Sequence, residues 1–481
     1  MSTSDLARPR AVAAAAEAAS AAAATHGTKT ALIALGCGAY MSALGQSVVN
    51  AILPIVTESL GAEVATTEWV VVVFMLIQSG FLLSFGRLGD LRGHRRIYTI
   101  GLYVFFAGSL LCGLAPSAEI LIAARIPQAI GGSMCVATSA AILTRVFPPS
   151  QRGRAMGFQA SAVYLGLATG PPLGGWLTMA LGWRAVFLVN VPVSLVVLVL
   201  TRRFVPADAP RNRGETFDRV GAAAYLVGLT VLLLAMNRGH EWGWISPITL
   251  GCLLVGACVM GIFAAIELRV ASPMLNLGLF RRRAFTLPVM STILNYMGVS
   301  STFFLMPFYL LQGRGIAPST AGFILTAQPI VMAATASLSG ALSDRVGSRI
   351  PGTIGMAVLS IGLFLLSRAG SDGSLAYVVG SLALVGLGIG LFTSPNSSAV
   401  MGAVPREHRG VASGILATSR MLGNVLGFGV AAAIFNTVLH REGQTAAAIV
   451  AAAGAGLTVA SVITAIGAVT TAARPAQDIP G

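Results

Sequence analysis

Along most of this chain apolar positions come in long runs, and polar positions are confined to the short stretches between them. A membrane-crossing helix needs about 20 mostly apolar residues. Fourteen runs come close to that length: near residues 31–56, 68–86, 97–115, 119–144, 156–181, 184–201 and 220–237, then 246–267, 285–311, 319–341, 351–368, 375–401, 410–438 and 446–472. The fifth is the oddest. Between Gly166 and Gly175 it carries four glycines and two prolines, Gly-Leu-Ala-Thr-Gly-Pro-Pro-Leu-Gly-Gly. An interior Gly weakens a helix by about 1 kcal/mol and a Pro by about 3. The segment therefore needs neighbouring helices that restore its packing and take up the freed carbonyls. Gly166 and Gly170 fall on one face and allow close backbone approach, with a bend expected at Pro171 and Pro172.

Composition agrees with an all-α integral membrane protein: 55% hydrophobic residues, 10% charged, and a mean hydropathy of +0.80. A net charge of +14 in a soluble protein would suggest a nucleic-acid partner. Here its placement matters instead, because basic residues gather on the cytoplasmic side of membranes. With the N-terminus placed inside, 24 basic residues fall in inside segments and five in outside loops (Arg184, Arg238, Arg314, Arg368, Arg441), leaving Arg125 and Arg420 within helices. Both termini are thus expected in the cytoplasm of a multi-pass cell-membrane protein, with no nucleic acid bound. Residues 1–29 are Ala-rich, lack a compact apolar core before a cleavage site, and are read as a cytoplasmic tail. The five cysteines all lie in apolar runs without metal spacing and read as packing residues.

The chain also repeats. Gly86-Arg87-Leu88-Gly89-Asp90 matches Gly340-Ala341-Leu342-Ser343-Asp344, 254 residues on. Pro148, Arg152, Gly153, Ala155, Gly157, Gly166 and Gly170 match Pro405, Arg409, Gly410, Ala412, Gly414, Gly423 and Gly427, 257 residues on. Two related halves follow. The offset spans eight helices where a half needs six, so one helix pair is inserted. The expected organisation is a tail at 1–29, a six-helix half at 30–203, an inserted pair with its loops at 204–283, a second six-helix half at 284–472, and a tail at 473–481.

These residues resemble the major facilitator superfamily, and within it the 14-helix drug:proton antiporter branch. Gly86 to Arg96 is similar to the signature loop between helices 2 and 3, with Gly340 to Arg349 a weaker copy. Arg125-Ile126-Pro127-Gln128-Ala129-Ile130-Gly131 resembles the helix 4 motif, with Ala129 where Gly is usual. Gly166, Gly170, Pro171, Gly174 and Gly175 fit the helix 5 antiporter pattern at every specified position. Trp183 to Pro192 and Trp242-Gly243-Trp244 are also similar to this branch. Leu44 to Pro54 resembles the helix 1 signature, but Gly45 stands where the branch carries an Asp implicated in proton coupling.

The resemblance implies a secondary transporter that exports hydrophobic or cationic small molecules by alternating access, coupled to protons and acting as a monomer in the bilayer. With Gly45 in place of Asp, the carboxyls left to carry a proton are Glu58, Glu68, Asp90 and Glu119. Two alternatives stay open: an exporter of lipid-like or amphipathic metabolites with different coupling, and a non-transporting membrane sensor. No P-loop lysine, HExxH or Ser-His-Asp-like spacing appears, so neither a cofactor nor enzyme chemistry is expected.

Several residues carry a sharp reading beside a plain one. Arg125, costly in hydrocarbon, either lines a cavity with Gln128 or snorkels to the outer headgroups near Glu119. Arg420 either lines the cavity or snorkels inward. Asp90, on a loop with Gly86, Gly93 and Arg95, and Asp344, beside Arg345, are read as a cytoplasmic gate that grips a helix N-terminus or an arginine across the halves. The alternative is a solvated ion pair worth about 0–1 kcal/mol. Gln46, Asn50, Phe74, Gln78, Tyr164, Asn295, Phe303, Gln328 and Asn424 are candidates for a mostly apolar substrate cavity, although interhelical hydrogen bonding would explain many of the polar ones. The glycine-rich helix 5 and its mirror near Gly423 are expected to pack against the opposite half.

Overall fold

In the computed structural model, residues 30–475 are described, except 46, 50–51, 54, 63, 209–215, 244–245, 271–272, 276, 372 and 444. Gln46 and Asn50 lie outside the described residues, as does the 1–29 tail. The apolar runs form fourteen helices: α1 (Thr30–Val49), α2 (Val64–Arg92), α3 (His94–Gly113), α4 (Ala118–Val146), α5 (Arg152–Leu181), α6 (Ala185–Phe204) and α7 (Arg219–Trp242). After these come α8 (Pro247–Glu267), α9 (Arg283–Phe308), α10 (Pro318–Val346), α11 (Arg349–Ser367), α12 (Leu375–Gly402), α13 (Arg409–Glu442) and α14 (Ala446–Ala472). By length and apolarity 13 candidate spans stand out. The helix not among them is α5, whose glycines, prolines and polar residues dilute its 30 residues. It runs as one continuous helix through Pro171 and Pro172.

Local chemistry sets the helix ends. Ser117, Asp218, Ser246, Ser374 and Thr445 each accept a first-turn amide, relieving one of the orphan donors at a helix start. Gly182, Gly243, Gly347 and Gly443 terminate helices at positive φ. All five cysteines are free thiols.

Packing divides the bundle as the repeat requires. Helix α4 packs on α2 and α3, and α3 on α6. In the second half α11 packs on α12 and α14, and α9 on α13 and α14. The halves meet where α5 lies on α10 and α13 lies on α2. The inserted α7 and α8 pack on each other, and α7 also reaches both α2 and α13. There Tyr225 shares a 2.9 Å hydrogen bond with Thr418. The inserted pair thus rides on the seam between the halves.

Candidate functional site

The face that carries the arginine-rich turns holds two matching contacts between the halves. Asp90, at the end of α2, accepts the Gly410 and Val411 amides at the start of α13 at 2.8 and 2.9 Å. Asp344, at the end of α10, accepts the Gly153 and Arg154 amides at the start of α5 at 2.7 and 2.9 Å. Each carboxylate caps the positive end of a helix from the other half, taking up donors that the helix cannot satisfy itself. The approach is possible because one turn before each Asp stands a glycine. A Cβ at Gly86 would overlap the Gly410 carbonyl, and one at Gly340 would overlap that of Gly153. Ser394 Oγ donates to the same Gly153 carbonyl at 2.7 Å, and His94 Nε2 lies 3.3 Å from Asp90. Of the two options weighed for Asp90, the structure has the helix N-terminus. The solvated ion pair is excluded, since Asp90 is 5% exposed.

The rest of the gate loop points elsewhere. Gly93 supplies the turn at φ +100°, a conformation that L side chains rarely adopt. Arg95 donates to the Arg202 carbonyl at the end of α6, within its own half. Arg345 is exposed. Asp208, not singled out from the sequence, ties this corner together: it pairs with Arg145 at 2.7 Å and accepts the Arg96 amide at 3.1 Å. Its signal was available, as an acid in a turn rich in arginine.

Arg125 is 1% exposed. It donates from Nε to the Val70 carbonyl at 2.9 Å and from Nη1 to Gln128 Oε1 at 2.6 Å. Gln128 passes the chain on to Ser109 at 2.9 Å. The guanidinium lies 4.2 Å from the centroid of the Phe74 ring, a cation–π contact strengthened by desolvation. The side chain therefore does not snorkel, and Glu119 is exposed at the helix start. Among the described residues no carboxylate pairs with it. Glu68, two residues before Val70, has a side chain outside that set.

At mid-depth the halves meet through polar atoms. Tyr164 on α5 donates to Thr393 on α12 at 2.8 Å, and Ser161 donates to the Ala333 carbonyl on α10 at 2.6 Å. Arg420 donates to Ser397 at 2.9 Å and lies 5.9 Å from the Tyr296 ring; both Tyr296 and Arg420 come close enough to interact with the Tyr164 hydroxyl. Arg420 thus turns into the bundle instead of snorkelling. Thr393, Ser397 and Tyr296 were not predicted, because small hydroxyls and a lone tyrosine in apolar runs look like ordinary helix residues.

The remaining cavity candidates scatter. Gln78 is half-buried against Gly132, and Asn424 is half-buried. Gln328 is buried beside the Gly386 backbone. Asn295 is buried, its amide 3.3 Å from Met356 Sδ on α11 of its own half. Phe303 is 42% exposed, while Phe304 packs with Phe308, Phe428 and Phe435.

The helix 5 glycines require a correction. Gly166, Gly170 and Gly174 lie against Tyr40, Ala43, Leu44, Ser47, Val48 and Ile52 of α1 and the turns beyond it, within their own half, and Gly175 faces open space. Their mirror glycines, Gly423 and Gly427, lie against Ile293, Tyr296, Met297 and Ser300 of α9. Only the early glycines of α5, Gly153 and Gly157, meet the other half, at Gly340 and Ala336 of α10. Gly45 faces Asn190, whose amide nitrogen would lie 3.7 Å from a Cβ placed there.

Comparison with known proteins agrees with this architecture. The chain is 31% identical over 396 residues to the riboflavin transporter RibZ of Clostridioides difficile, covering 82% of this chain and 86% of that one. It is 34% identical over 400 residues to the multidrug resistance protein Stp of Mycobacterium tuberculosis, covering 83% and 74%. The structure of the human organic anion transporter MFSD10 superposes with a TM-score of 0.66 at 16% identity, over 92% of this chain and 99% of that one. The profile of the Major Facilitator Superfamily matches residues 35–281 and 289–478. Fourteen helices, two halves latched by repeated Gly and Asp positions, and these matches place the chain in the major facilitator superfamily, as a multi-pass membrane transporter.

Proposed function

We propose that this protein exports hydrophobic or cationic small molecules by alternating access, as a monomer, with the arginine-rich face and both termini in the cytoplasm. The observation that carries this reading is the pair of capping contacts from Asp90 to α13 and from Asp344 to α5. Each closes that face with hydrogen bonds that can be released as a unit when the halves rock apart, and beneath them the glycine pairs Gly86–Gly410 and Gly153–Gly340 meet through backbone. In this reading the substrate passes the mid-depth cluster of Tyr164, Thr393, Tyr296, Arg420 and Ser397 between the halves. The domain boundaries expected from the repeat serve as the moving bodies, and α7 and α8 ride on the seam.

Arg125 supports the reading from within the first half. A buried guanidinium held by a carbonyl, an amide and an aromatic face is poised to stabilise a carboxylate near it, and Glu68 is the nearest acid along α2. We assign proton coupling to this pair, in place of the Asp that the helix 1 position lacks. Efflux from cells and flux in proteoliposomes test it. Arg125→Ala should abolish transport at unchanged expression, and an imposed pH gradient should drive uptake. Flux indifferent to the gradient refutes the coupling while leaving export standing.

A second reading is favoured by similarity to a riboflavin transporter: the cargo is an amphipathic metabolite with a flat polar ring system. A competition screen that sets flavins against cationic dyes in the same vesicles separates the two.

A further inference from the structure

Arg474 follows α14 and lies outside the membrane-spanning helices, yet it is only 4% exposed. One of its terminal nitrogens is used: Nη2 donates to Asn396 Oδ1 and, at 3.3 Å, to Thr471. Its Nε and Nη1 are buried without a hydrogen-bond partner, and among the described residues it pairs with no carboxylate. Burial pushes the guanidinium down to about 9, as expected of a cation taken from water without a countercharge. An unpaired buried charge is costly enough that proteins seldom keep one without a ligand.

The surroundings of Arg474 suit an anion. It lines a small, partly open cavity with Ala284, Pro288, Ser348, Arg349 and Ala399. Ala284 and Pro288 belong to the first turns of α9, and Ser348 and Arg349 to the start of α11. Neither helix has a side-chain cap at its N-terminus, where Arg282 and Ser348 hold the capping positions. A Cβ at Gly352, in the first turn of α11, would lie 3.8 Å from Arg474 Nη1. Two positive helix ends and a guanidinium edge with no hydrogen-bond partner among the described residues thus converge on one opening, the arrangement that receives phosphate oxygens elsewhere.

The geometry points to a phosphate-binding site here, in which one phosphate oxygen enters between the α9 and α11 N-termini and accepts from Arg474 Nη1, with Arg349 at the rim. The phosphate belongs either to a lipid headgroup or to a free phosphate ion. The test needs no transport.

The test uses the full chain, purified in neutral detergent and stripped of lipid, with thermal unfolding followed at matched ionic strength. Inorganic phosphate exchanged for chloride should raise the midpoint by about 2 °C or more, or a short-chain phosphatidate should do so where the matching diacylglycerol does not. The first result assigns the free ion, the second a lipid headgroup. Arg474→Gln should remove the response. Should that variant fail to fold, Arg349→Gln should raise the half-saturating concentration several-fold, and Ala399→Leu should suppress the response by filling the cavity. Asp478 is a carboxylate four residues further along the chain, so Asp478→Asn is the control. A response that is absent in the natural protein and appears only in that variant overturns the proposal, as does a response to neither ligand or one that survives in all three site variants.

Discussion

The two capping contacts at the arginine-rich face perform the same task in different surroundings. Asp90 is buried and has His94 beside it; Asp344 is half-buried, and the glycine carbonyl next to its target is held by Ser394. The loops that carry them share only three positions of five. Gly86, Leu88 and Asp90 persist as Gly340, Leu342 and Asp344, while Arg87 and Gly89 become Ala341 and Ser343. Two of the shared positions are those the contact needs: a residue without a side chain where two backbones cross, and a carboxylate one turn later over the helix end. Leu342 is 46% exposed and takes no part in the contact. The motif is therefore best understood as a steric gap followed by an acceptor, and the basic residues around it serve other contacts.

That comparison can be broken by force first. Gly340→Leu places a side chain against the Gly153 backbone, and overpacking of this kind costs about 3 kcal/mol, or about a hundredfold in the closed population. In a background lacking the native cysteines, a cysteine at Ala336, buried where α5 crosses α10, should become reactive. Gly166→Leu is equally crowded, against α1. It should lower the unfolding midpoint of the first half without exposing that cysteine. If both variants open the face, helix 5 glycines do not divide between the two jobs.

A smaller effect comes from the acceptors. Asp90→Ala removes two charge-assisted bonds from a buried site and should cost the closed state about 3 kcal/mol. Asp344→Ala, partly screened by solvent, should cost about 1 kcal/mol. The ratio of reporter-cysteine labelling rates between the two variants measures the difference, and equal rates would mean that burial does not separate the two latches. The smallest change is Ser394→Ala, which removes one neutral donor and should cost about 1 kcal/mol or less. It should speed labelling at Ala336→Cys only a few-fold, and more in an Asp344→Ala background if the serine and the aspartate act as one unit.

Much of the bundle was legible because lipid leaves a segment few options: a long apolar run must satisfy its own backbone and becomes a helix. The repeats at Gly86 and Gly340 pointed to two halves, and of the partners weighed for Asp90, a helix N-terminus or an arginine, the structure shows the helix end. Harder to read were the directions that side chains take. Asn295 has the composition of a cavity residue, yet its amide turns toward Met356, because an all-round apolar helix carries no stripe that marks its inward face. Phe303 and Phe304 differ by one residue and by their whole environment. Arg474 looked like one more basic residue outside the bilayer, since nothing in its neighbours along the chain announces that α9, α11 and α12 close over it.

By itself, the sequence determined the number of helices, the doubled architecture, and which residues would be expensive to bury, because hydropathy and spacing act locally and survive without knowledge of neighbours. Tertiary structure alone decided which partner each of those residues meets. Gly166 and Gly153 sit on one helix, 13 residues apart, yet the first packs within its half and the second crosses to the other. The crossing of α5 over α1 at one end and over α10 at the other is set by the packing of the whole bundle.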